Sequence, residues 1–74
     1  MQEIPVSSSL IARAAYDAEA QELEIVFQKT GARWRYGSGA RPFTQEDADA
    51  FAGAASKGQH FLAEIRGQWP ERRG

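Results

Sequence analysis

The sequence has no cysteine and a single histidine in its 74 residues. The first absence removes disulfides, thiolate zinc sites and thiol nucleophiles together. The second leaves His60 as the only imidazole available for general acid–base work. Bulky apolar side chains are scarce as well. Of 31 apolar residues 13 are alanine, leaving 18 larger ones, among them four Phe, two Trp and two Tyr. A chain this short buries only about 60–65% of the surface its unfolded form exposes, so one thin core is expected and no second. No apolar run approaches the roughly 20 residues that span a bilayer, and the first nine residues contain no secretory apolar segment. The expectation is a cytoplasmic protein with no membrane association. An excess of positive charge is also missing: nine Lys and Arg stand against ten Asp and Glu, a net charge of −1 and a pI near 5.7. Dedicated nucleic-acid binders usually exceed a pI of about 9.

The charge is unevenly placed. Residues 1–28 carry five acids against Arg13, whereas residues 29–45 carry Lys29, Arg33, Arg35 and Arg41 with no acid. This basic stretch coincides with a strand pattern. Leu23, Ile25 and Phe27 alternate with Glu22, Glu24 and Gln28, and Trp34 and Tyr36 alternate with Arg33 and Arg35. A two-residue Thr30-Gly31 turn between them predicts a hairpin that sets Phe27 opposite Trp34 and Ile25 opposite Tyr36. Both rings then face a core and both arginines face outward, where acids on the neighbouring strand can neutralise them. Leu10 to Tyr16 completes a three-stranded antiparallel sheet, with Leu10, Ala12, Ala14 and Tyr16 on one face.

Gly37 to Pro42 reads as a break. Beyond it Thr44 is a helix N-cap with acids in the first turn, and Ala48, Phe51, Ala52 and Ala55 form an apolar stripe. Ser56 caps a second helix that presents Phe61, Leu62, Ile65 and Trp69 before Pro70. The resulting fold class is α+β, a three-stranded antiparallel sheet followed by two short helices packed on one face. One domain spans residues 8–70, with residues 1–7 and 71–74 as flexible termini.

The chemistry on offer is meagre. No serine sits in a nucleophile-elbow pattern, and His60 in the first turn of a short helix reads as a packing residue. Glu46, Asp47 and Asp49 lack calcium-loop spacing, and Gly37-Ser38-Gly39 lacks the frame of a phosphate loop. The expectation is no enzyme, no cofactor and no metal. Arg33-Trp34-Arg35-Tyr36 is the one segment resembling a nucleic-acid surface. Period two sends its rings and its guanidiniums to opposite faces, so phosphate contacts alone remain for the arginines.

The order of these pieces resembles the KTSC domain, a module named after the C-terminus of certain lysyl-tRNA synthetases and also found as a free-standing bacterial protein. The resemblance runs from Ser8 to Pro70. It rests on the serines before an aliphatic strand, Tyr16-Asp17, Leu23-x-Ile25-x-Phe27, an aromatic-x-aromatic centre, Ala55-Ser56-Lys57-Gly58-x-x-Phe61, Ile65-Arg66 and an aromatic-Pro close. There are departures from the family pattern. Trp34-Arg35-Tyr36 replaces Tyr-x-Tyr, a longer Gly37–Pro42 segment replaces a close Val-Pro, and Leu62 replaces a common Asn. The synthetase association implies RNA binding, with Lys57 and Arg66 carried by the shared motif and Arg33 and Arg35 on this chain's own strand. Two functions are therefore expected: a non-enzymatic module binding RNA or other nucleic acid through a modest basic face, or a protein-interaction or homodimerisation module.

Overall fold

In the computed structural model, which describes residues 1–74, every strand pairs only with its neighbour in sequence. The elements are β1 (Gln2–Ile4), β2 (Ile11–Asp17), β3 (Glu22–Phe27), β4 (Arg33–Tyr36), α1 (Gln45–Ala52), α2 (Lys57–His60), a π-helical segment (Phe61–Ile65) and β5 (Glu71–Arg73). The strands form one antiparallel sheet in the order β1-β2-β3-β4-β5. The α+β class and the two helices stand, but the sheet has five strands where three were expected. The additional two come from the ends of the chain that the sequence left outside the domain. Each is three residues long, too short for a period of two to be recognised. Both complete hydrogen-bonding ladders that β2 and β4 would otherwise leave open.

One face of the sheet is covered by the helices. Ile11, Ala14, Tyr16, Leu23, Ile25 and Tyr36 meet Phe43, Ala48, Phe51, Phe61 and Ile65 in a single core. Ile11 joins this core although its parity places it with Arg13. A β-bulge between Ile11 and Arg13 inserts one extra residue and turns Ile11 inward.

The hairpin β3–β4 keeps the expected faces with a different register. Ile25 lies opposite Trp34, Leu23 opposite Tyr36 and Glu24 opposite Arg35. The loop is Gln28–Gly31: the Phe27 amide donates to the Ala32 carbonyl at 3.0 Å and the Gly31 amide to the Phe27 carbonyl at 2.9 Å. A two-residue hairpin turn needs positive φ at its first residue, which β-branched Thr30 resists. Only Gly31 is left-handed here, with φ 68°. The register therefore moves by an even number of residues, so no side chain changes face.

Thr44 caps α1 through a capping box with Asp47, and the Ser56 hydroxyl accepts from the Gln59 amide. The α1 stripe is narrower than expected, since Ala48 and Phe51 are buried whereas Ala52 and Ala55 are exposed. The second helix does not continue as an α-helix. The Arg66 amide donates to the Phe61 carbonyl at 2.8 Å, closing a π turn. Its wider turn keeps Phe61 and Ile65 on the core and carries Leu62 outward, leaving it 49% exposed.

The Gly37–Pro42 break is tied down. The Gly37 amide donates to Pro70 O, Ser38 and Arg41 close a turn on each other, and Arg41 Nε donates to Gln68 O. Gly37 has φ 121°, and a Cβ there would sit 2.7 Å from the Gln21 carbonyl oxygen. Only glycine fits.

Candidate functional site

Strand β4 faces two different surroundings. On the open side of the sheet its arginines are neutralised by acids from β2 and β3. Arg33 Nε lies 3.0 Å from Glu24, and Arg35 Nη2 lies 2.7 Å from Asp17. Arg35 Nε is also 2.8 Å from Glu22 Oε1, although its N–H is not aligned on that oxygen as a hydrogen bond. Arg72 on β5 reaches the same Glu22 oxygen at 2.8 Å, and Arg13 pairs with Glu3 at 3.0 Å. All five ion pairs of the molecule lie on this face, which no helix covers. Asp17 is held below the usual carboxylate range, first by the Ala20 amide and then by Arg35.

The four basic residues singled out from the sequence do not converge. Arg33 and Arg35 belong to the ion-paired face. Lys57 stands on the helical side, where its Nζ donates to the Ala54 carbonyl at 2.9 Å and so closes the chain between the helices. An added Cβ at Gly58 beside it would lie 3.0 Å from the Ser8 hydroxyl, a tight contact that the serine would have to relieve. Ser8 itself belongs to ordered structure, because its hydroxyl accepts from the Leu10 and Ile11 amides. Arg66, at the end of the π-helical segment, is the one candidate that stands in a groove and has no carboxylate partner.

That groove, about 380 Å³ in volume, runs between the sheet and the π-helical segment. Its apolar walls are Leu10, Phe27, Trp34, Tyr36, Phe61 and Leu62. Phe61 is the floor: its ring meets Tyr36 edge-on at 5.3 Å and Phe27 at 5.5 Å. Trp34 and Phe27 are only half-buried. Lys29 and Arg66 stand at the rim with Glu71, and the Arg73 guanidinium lies 5.4 Å from the Trp34 ring centre. Neither Lys29, Arg66 nor Arg73 takes part in an ion pair. Tyr36 is 3% exposed, and its hydroxyl makes no hydrogen bond within the chain. Burial pushes that phenol up to about 12; Glu71 adds to the rise and Arg66 opposes it. Tyr16, the other buried phenol, donates to the Phe43 carbonyl at 2.6 Å.

The KTSC domain family matches residues 7–69 of the chain. The chain belongs to the KTSC domain family. The crystal structure of a KTSC domain protein from Yersinia pestis is similar along its whole length, at 33% sequence identity and a TM-score of 0.83, covering 99% of this chain and 96% of that one. Among curated proteins none matches. Two departures from the KTSC pattern, Trp34 and Leu62, line the groove. Those two positions were the legible signal for it. Lys29 and Arg73 carried no such signal, because their place at the rim depends on the four-residue hairpin loop and on β5.

No helix is long and apolar enough to cross a membrane, and no cluster of three or more His, Asp or Glu side chains is placed to hold a metal ion. The His60 ring packs 5.8 Å from that of Phe51.

Proposed function

We propose that this KTSC domain is a non-enzymatic protein-interaction module that holds a short segment of a partner protein in the groove beside Trp34. The observation that carries this reading is a set of half-exposed apolar side chains, Phe27, Trp34 and Leu62, gathered in one concavity with cations that nothing in the chain neutralises. Concave apolar sites with a few polar groups are the usual form of ligand sites, and aromatic anchors supply most of the energy at protein interfaces. The nucleic-acid reading draws on the synthetase association of the family and on rings lying near cations. Against it, Arg33 and Arg35 are occupied by acids, and the Tyr36 and Phe61 rings are buried. Few phosphates could be met by the cations that remain.

The test is selection of random peptides on the intact domain, followed by mapping of amide shifts on adding the winners. Enriched peptides are expected to shift Phe27, Trp34, Leu62 and Arg66, and to lose binding in Leu62→Asp. Peptides that bind Leu62→Asp as well as the parent, or a failure to enrich any, overturn the groove as the interaction site. Titration with tRNA and a single-stranded oligonucleotide at low salt decides the competing reading. Micromolar binding abolished by Arg35→Ala would move the function to the charged face.

A further inference from the structure

Tyr36 lines the groove with a hydroxyl that makes no hydrogen bond within the chain. Tyr36 is 97% shielded and its hydroxyl is free of any partner in the chain, whereas Tyr16 spends its own on the Phe43 carbonyl. The hydroxyl oxygen itself is not shut off from solvent, so it can donate to an acceptor that enters the groove. Arg66 and Glu71 line the same groove as this phenol, and both act on it electrostatically. Around it the rim is biased: Lys29, Arg66 and Arg73 stand against Glu71 alone. A ligand with one apolar residue and one or more carboxylates matches this arrangement at every point.

We propose that the groove selects an acidic peptide segment, with an Asp or Glu carboxylate accepting from the Tyr36 hydroxyl and paired to Arg66 while a neighbouring apolar side chain rests on Trp34, Phe27 and Leu62. This rests on the protein-interaction reading above and adds the chemistry of the partner. The carboxylate comes from a side chain of an internal segment: three separate cations suit a run of negative charge better than a single chain terminus. A nucleic-acid phosphate would satisfy Arg66, but the apolar walls then need a base between them. Of the two half-buried rings, Trp34 already has the Arg73 guanidinium beside it and Phe27 meets Phe61 edge-on. The phenol keeps its proton throughout the physiological range, so it remains a donor at any pH at which the domain works.

The experiment titrates the full chain with three probes and follows amide shifts. These are a synthetic peptide with a central Leu flanked by Asp and Glu, its twin with Asn and Gln in their place, and an oligothymidylate of similar charge. The acidic peptide is expected to bind about tenfold more tightly than its amide twin, the size of one hydrogen bond to a charged group. Tyr36→Phe and Arg66→Gln should each remove most of that preference, weakening the acidic peptide more than its amide twin. Arg66 is exposed, so its variant retains the fold even if Tyr36→Phe shifts the packing. Equal affinity for the two peptides overturns the carboxylate contact while the groove stands. Binding of neither peptide overturns the groove itself. Tighter binding of the oligonucleotide, displacing the acidic peptide, overturns the class of partner.

Discussion

Arginines stand on both sides of β4 in opposite circumstances. On the open side, Arg33 and Arg35 sit among Glu22, Glu24 and Asp17, and their charge is spent on holding neighbouring strands in register. On the helical side, Arg73 and Arg66 stand around Trp34 and Tyr36 with no carboxylate in reach but Glu71. A count of basic residues does not distinguish these situations. What decides whether a strand cation is available to a partner is the charge of its neighbours across the sheet, and here the ion-pairing acids lie on the open face. The open face is therefore read as a stabilising surface and the groove as a binding one. Mutations on the two should separate stability from binding.

The largest way to break the comparison is to remove what both regions stand on. Phe61→Ala empties the groove floor and part of the core at once, because Phe61 is 2% exposed and touches both Tyr36 and Phe27. The expected loss is about 3–5 kcal/mol by urea denaturation, a large share of the stability of any small domain. A loss below about 1 kcal/mol would mean that the groove is not continuous with the core.

A smaller effect sharpens the contrast. Glu22 serves both Arg35 and Arg72, and its side chain is only 12% exposed. Glu22→Gln should cost about 1–3 kcal/mol, because it leaves the half-buried Arg35 with Asp17 alone. Affinity for a groove-binding peptide should be unchanged in the same variant. A Glu22→Gln protein as stable as the parent would show that the open-face pairs are incidental, as many surface ion pairs are.

The split between the two faces was legible in advance, because alternation alone assigns side chains to faces and survives a register error of two residues. The caps at Thr44 and Ser56 were legible for a similar reason: each is a local hydrogen bond between residues three apart. Three features were not. The bulge that turns Ile11 inward has no composition of its own. The edge strands β1 and β5 are defined by partners more than ten residues away, Gln2 by Tyr16 and Arg73 by Trp34. The π turn at Phe61–Ile65 decides that Leu62 lines a groove and leaves the core, although the apolar spacing fits an ordinary helix equally well. Of the site, only Arg66 was named from the sequence. The others depend on where β5 and the hairpin loop deliver Arg73 and Lys29, and that is tertiary information.

The smallest effect, and the most selective, concerns Asp17. Its carboxylate has two duties: Oδ1 accepts from the Glu19 and Ala20 amides at 3.1 Å each, and Oδ2 pairs with Arg35 at 2.7 Å. Both favour the charged form and hold the acid below its ordinary value. A carboxylate whose affinity for protons is lower in the folded state contributes stability that is complete above the unfolded pKa of about 3.9. That contribution is lost as pH falls through the folded value. The denaturation midpoint should therefore hold level from pH 7 to about pH 5 and drop below about pH 4. Asparagine preserves an oxygen for the two turn amides but cannot pair with a guanidinium, so Asp17→Asn removes one duty and keeps the other. In that variant the midpoint should start slightly lower at neutral pH and fall less steeply in acid, the two curves converging as Asp17 is protonated. Parallel curves would mean that the Asp17–Arg35 pair contributes nothing in solution, leaving Glu22 as the acid that holds Arg35.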